Sequence, residues 1–171
     1  MHELERTFLA KYLPNNLEKC FSKEIFDIYL PKSSAHPKIR IRKNGDKYEI
    51  TKKTAVKEGD YSHFLEETIK LTDEEFRNLK NIDGKKIRKI RHDYDYNGQK
   101  AEIDVFQDNL SGLVLIDFEF DNKETMDSFK MPKFCLADVT QDDFIAGGML
   151  CGKSYKEIEE KLALYDYKEL A

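Results

Sequence analysis

Two glutamates and a threonine, Glu3, Glu5 and Thr7, alternate through the opening stretch His2-Glu3-Leu4-Glu5-Arg6-Thr7-Phe8-Leu9 of this 171-residue chain. On an extended backbone successive side chains point to opposite faces. These three therefore share one face, and His2, Leu4, Arg6 and Phe8 share the other. Carboxylates stacked along one face repel each other unless a cation sits between them. Hard oxygen donors of this kind suit magnesium, manganese or calcium. The same octapeptide also reads as the solvated outer face of an edge strand, and the choice between the two turns on the rest of the chain.

The pattern of one apolar face and one charged face recurs. Ile39 and Ile41 alternate with Arg40 and Arg42. Tyr48 and Ile50 oppose Lys47, Glu49, Thr51 and Lys53. Leu65, Ile69 and Leu71 oppose Glu66, Thr68 and Lys70. Ile103 and Val105 oppose Glu102, Asp104 and Phe106. Val114, Ile116, Phe118 and Phe120 oppose Leu113, Leu115, Asp117 and Glu119. An open antiparallel sheet with a solvated face accounts for this pattern. A closed barrel with its charged face inward accounts for it as well, and such a barrel would be a hydrated tunnel. The tunnel would hold Glu3, Glu5, Glu66, Asp104, Asp117 and Glu119 beside Arg40, Arg42, Lys53, Lys89 and Arg91. That many carboxylates call for metal, and that many cations call for an anion. A metal-chelated polyphosphate answers both demands.

The elements that must position these groups follow from local signals. Strands are expected over 2–9, 24–30, 38–43, 47–53, 64–71, 85–96, 99–106 and 113–120. Hairpin turns are expected at Asn44-Gly45 and Asn97-Gly98. Short helices are expected over 17–21 and 123–130. Thr72-Asp73-Glu74-Glu75 has the form of a helix cap with acidic first-turn residues, leading to about Leu79. Thr140-Gln141-Asp142-Asp143 suggests a second cap, for a helix running toward Leu150. Residues 154–166 carry the clearest helical period, with Ile158, Leu162 and Leu164 apolar. Hairpin strands with interspersed and C-terminal helices define an α+β fold.

Chain length sets one domain over residues 1–171, with enough residues to bury a core. Hydrophobic residues make up 40% and charged residues 36%, and eleven Phe with nine Tyr argue against disorder. A net charge of −4 gives no global pull toward nucleic acid or membrane. No apolar run approaches the roughly 20 residues of a membrane span. Cys20, Cys135 and Cys151 are odd in number and form no ligand pattern, which points to a reducing, cytoplasmic setting. His2, His36, His63 and His92 read as packed or surface histidines. Lys85, Lys86 and Arg88 read as a solvated face before they read as an RNA patch.

In order and spacing, several of these segments resemble the CYTH superfamily, the triphosphate tunnel metalloenzymes. The resemblance runs through Glu3-Leu4-Glu5-Arg6, Ile39-Arg40-Ile41-Arg42, Thr51-Lys52-Lys53, Lys89-Ile90-Arg91, Ile103-Asp104-Val105-Phe106, Asp117-Phe118-Glu119-Phe120 and Asp138-Val139-Thr140. It implies an eight-stranded antiparallel β-barrel open at both ends as a tunnel, with peripheral and C-terminal helices. It implies hydrolysis of a triphosphate-bearing small molecule, inorganic triphosphate first, with Mg2+ or Mn2+. An adenylyl cyclase of the same fold and a non-catalytic module binding a phosphorylated ligand are the alternatives. The expected partner is a small triphosphate or polyphosphate, with no membrane or nucleic acid, in a monomer or homodimer. By match, Glu3, Glu5, Asp117 and Glu119 would hold metal. Asp117 stands where the family has a longer Glu. Arg40, Arg42, Lys53, Lys89 and Arg91 would grip phosphate, and Glu3, Glu5, Arg42 and Lys89 would carry catalysis. Asp104 would orient a basic neighbour. Two departures stand out. Thr7 occupies the position of the signature Lys, and residues 142–147 lack the family's late basic segment, with Lys70 or Lys133 as candidates to compensate.

Overall fold

The computed structural model describes residues 2–170 of the chain. Among them, nine strands form one antiparallel sheet: β1 (His2–Ala10), β2 (Ser22–Leu30), β3 (Ile39–Asn44), β4 (Lys47–Ala55), β5 (His63–Leu71), β6 (Lys85–Tyr96), β7 (Gln99–Phe106), β8 (Val114–Phe120) and β9 (Cys135–Asp138). The order is β5-β4-β3-β2-β6-β7-β8-β1-β9, and β5 returns to pair with β1. The first eight strands close a barrel, and β9 adds to its outside.

The tight turns rest on glycine's tolerance of positive φ. Asn97-Gly98 forms the expected two-residue loop, with φ of 54° and 84°. The first hairpin turns one residue later than expected. Asn44 pairs with Lys47, so the loop is Gly45-Asp46, with Gly45 at φ 59°.

Closure depends on β1. One edge pairs with β8 from Leu4 to Leu9. The other edge is divided: His2–Leu4 pair with β5, and Phe8–Ala10 pair with β9. Between them the chain improvises. The Glu5 amide donates to the Ser62 carbonyl at 3.0 Å, and the Thr7 amide donates to Thr140 Oγ1 at 3.1 Å.

Alternation sorts the side chains as a closed barrel requires. The outer faces of β1, β7 and β8 bury Phe8, Ile103, Ile116 and Phe118 against Phe134 and Phe129. Helix α1 (Asp73–Leu79) lays Phe76 on Ile28, Ile41 and a stacked Tyr48. A reciprocal Thr72–Glu75 capping box opens it, as its sequence implied. On the outer face of β5, α1 reaches Leu71, while Leu65 and Ile69 are exposed rather than core.

The tunnel is not equally open at its two ends. Along its axis the inward residues change from charged to apolar. Leu9, Tyr29, Ile87, Phe106 and Leu115 pack with Ile145 and Leu150 and fill one end. The packing material comes from the C-terminal third: a 3-10 turn at Asp143–Ile145, helix α3 (Gly147–Leu150), and α4 (Tyr155–Ala163), which buries Ile158 and Leu162. Helix α2 is Lys123–Ser128. The expected Thr140 helix cap is absent. Its hydroxyl donates to Asp138 and also accepts the Thr7 amide, which ties β9 to β1. Gly147 is required at the plug: a Cβ there would lie 2.3 Å from the Tyr29 hydroxyl oxygen.

Candidate active site

Every cation and carboxylate proposed for the interior from the sequence lines one cavity of about 350 Å³. Strand period and register bring them there from seven different strands. Each cation meets a carboxylate. Asp27, on β2, is 2% exposed and accepts a two-pronged contact from Arg42, Nε to Oδ1 at 2.7 Å and Nη2 to Oδ2 at 2.8 Å. Arg42 Nη1 keeps no partner among the described residues. Asp104, 1% exposed, takes the same two-pronged contact from Arg91, with both bonds at 2.7 Å, and accepts a further bond from Lys89. Arg91 Nη1 also donates to Glu102. Arg40 donates to Thr51 Oγ1 at 2.5 Å, to Tyr29 Oη at 3.3 Å and to Glu66 at 3.0 Å. Lys53 Nζ lies 2.8 Å from Glu3 and 3.0 Å from Glu5.

The carboxylates divide electrostatically. Burial alone would raise Asp27 and Asp104. The guanidinium of Arg42 and the pair Arg91 and Lys89 more than reverse this, holding both carboxyls below the usual range. Asp117 and Glu119 lie at the other extreme. Burial, then Glu5 and Asp104, push the Asp117 carboxyl up to about 7. Burial, then Glu102 and Glu3, raise Glu119. Thr7 donates to Asp117 Oδ1 at 2.7 Å, and Arg91 approaches no nearer than 3.8 Å.

A hard divalent cation fits this donor set. Glu5 faces Glu119 across the β1–β8 ladder, Thr7 faces Asp117, and both β8 carboxyls lack an adequate positive neighbour. Among the described residues, no three His, Cys, Asp or Glu side chains yet converge on one point. Lys53 keeps Glu3 and Glu5 turned toward β4.

The sequence placed the named cations and acids correctly on the inner face. It missed Asp27 and Tyr29, and it put Glu102 on the charged face without naming it among the tunnel groups. The first two had a signal, because Ile25, Asp27 and Tyr29 alternate with Phe26 and Ile28 around a lone acid in an apolar strand. Lys70 and Lys133 are exposed and do not line the cavity, so neither replaces the signature Lys. Thr7 borders the carboxylate that most needs a cation. Thr7→Lys is therefore expected to tighten triphosphate binding about tenfold, the scale of one added charge-assisted hydrogen bond, as read by calorimetry.

An eight-strand antiparallel tunnel walled with paired acids and bases fits the CYTH superfamily that the sequence resembles. No family model matches the sequence. The inorganic triphosphatase of Nitrosomonas europaea is 29% identical over 144 residues, 83% of this chain and 91% of that protein. The crystal structure of the inorganic triphosphatase NE1496 superposes with a TM-score of 0.66 at 25% identity, over 88% of this chain and 95% of that one. A putative adenylate cyclase from Bacillus halodurans shares the fold, with a TM-score of 0.53 at 13% identity, over 99% and 92% of the two chains.

Proposed function

We propose that the chain hydrolyses inorganic triphosphate inside this tunnel, with Mg2+ or Mn2+, in the cytoplasm. The observation that carries this reading is the convergence of Arg40, Arg42, Lys53, Lys89 and Arg91 on one cavity that also holds the carboxylates Glu3, Glu5, Asp117 and Glu119. A linear polyanion occupies such a site by exchange, with its phosphate oxygens replacing carboxylates as partners of cations already in place. Arg42, fixed by Asp27, presents its remaining nitrogen without reorganising. Lys89 and Arg91, held by Asp104 two strands along the wall, would exchange carboxylate oxygens for phosphate oxygens. Preorganised donors of this kind favour the charge that gathers during phosphoryl transfer. Bound among Glu3, Glu5, Asp117 and Glu119, a divalent cation would neutralise part of that charge.

The apolar plug supports a small, unsubstituted substrate, because Ile145 and Leu150 take the room at one end. Three unpaired thiols support a reducing compartment. Among the described residues, no helix is long and apolar enough to cross a membrane.

The test is phosphate release from inorganic triphosphate, thiamine triphosphate and nucleoside triphosphates with Mg2+ and with Mn2+. The expected result is release that depends on the metal and is fastest from inorganic triphosphate. No release from any of these with either metal would end the proposal. Cyclic AMP and pyrophosphate from ATP would redirect it to the cyclase alternative.

A further inference from the structure

We propose that Lys53 is a resident counter-ion that makes metal loading conditional on the triphosphate. This rests on the triphosphatase reading and deepens it. Glu3 and Glu5 lie two residues apart on one face of β1, so they would repel each other if left alone. Lys53 bridges them from β4 at 2.8 and 3.0 Å, and its ammonium also sits 5.2 Å from the centroid of the Phe64 ring. It occupies the cationic position that the first two metal-ligand candidates create.

Two consequences follow from charge alone. An ammonium and a divalent cation repel strongly when both lie against the same two carboxylates in a partly desolvated wall. Lys53 therefore has to leave Glu3 and Glu5 before those side chains can turn toward Asp117 and Glu119. That arrangement accords with the lack of any three convergent acids among the described residues. A displaced lysine in this wall also needs a new anionic partner, and its strand neighbours supply none to spare. Glu66, opposite Lys53 on β5, is held by Arg40 at 3.0 Å. A phosphate oxygen of the incoming substrate meets that need. Substrate and metal therefore favour each other's binding through one side chain, and the coupling is reciprocal. Bare metal is resisted, while metal arriving with triphosphate is accepted.

The experiment measures free Mn2+ by electron paramagnetic resonance, with and without the imido analogue of triphosphate, so that no turnover is read. Wild type is expected to bind Mn2+ at least tenfold more tightly with the analogue than without it. Lys53→Met is expected to bind bare Mn2+ at least tenfold more tightly than wild type, with the enhancement by the analogue falling toward one. Lys53→Arg, which keeps a bridging cation, should remain weak for bare Mn2+. If Lys53→Met fails to fold, Lys53→Gln is read the same way. A folded variant whose affinity for bare Mn2+ is unchanged or weaker overturns the proposal while leaving the triphosphatase reading intact. Failure of wild type to bind the analogue with any metal would remove both.

Discussion

Asp104→Asn is expected to cost about 3–5 kcal/mol of folding stability, measured by urea denaturation near neutral pH. The size comes from what remains after the change. Asp104 is the shared partner of two cations, Lys89 and Arg91, both in the tunnel wall. Asparagine keeps the shape and some hydrogen bonding, but it takes the shared anion from two like charges, with only Glu102 still bonded to Arg91. Removing one member of a buried ionic group is far more damaging than replacing the whole group. A domain of this size has a stability on the order of 5–15 kcal/mol, so the loss would take much of its margin.

The same residue sets the sign of the acid response. The folded-state value of Asp104 lies below its ordinary one, so its contribution is complete above about pH 4 and is lost as pH falls toward the folded value. Asp117 works in the opposite direction. Its folded value of about 7 exceeds the ordinary 3.8, so the folded chain holds a proton that the unfolded chain has released. Its contribution therefore falls as pH climbs between those values. Stability measured from pH 2 to 8 should show both limbs, and Asp104→Asn should flatten the acid limb.

Arg42→Ala is expected to lower kcat/KM for inorganic triphosphate by about 30- to 1000-fold, the 2–4 kcal/mol scale of losing one preorganised donor. The structure adds a complication that the sequence could not show. Arg42 is also the counter-ion of the buried Asp27, so the single variant leaves an unpaired carboxylate inside the wall. That charge would repel phosphate as well as weaken the fold. Pairing Arg42→Ala with Asp27→Asn separates the effects. The double variant should recover stability relative to Arg42→Ala while most of the catalytic loss persists. Activity close to wild type in the double variant would show that Arg42 serves only to neutralise Asp27.

Period-two alternation carried most of what could be read in advance. Each inward residue of β3, β4, β7 and β8 was assigned to its face because the hydrophobic partner on either side fixed the parity. Asp27 escaped because a single acid among residues 25–30 looks like an interruption until Arg42 is seen opposite it. The strand Cys135–Asp138 escaped because four residues with one charged end carry no periodic signal. It exists because β1 has an unfilled edge. The plug escaped for a related reason. Leu9, Ile87, Phe106 and Leu115 share the charged parity, and nothing local says that an axis running through hydrated space ends in oil. The family resemblance makes Lys53 a phosphate ligand, and its bridge to Glu3 and Glu5 is a tertiary fact, formed between β4 and β1.

The divided edge of β1 bears on how the molecule is assembled during synthesis. β1 finds its three neighbours only after residues 63–71, then 114–120 and finally 135–138 have been made. Each of its strand partners is more than fifty residues away in sequence, and long-range closures of this kind are slow. β1 is therefore made long before residues 114–120, the strand whose arrival completes the ring.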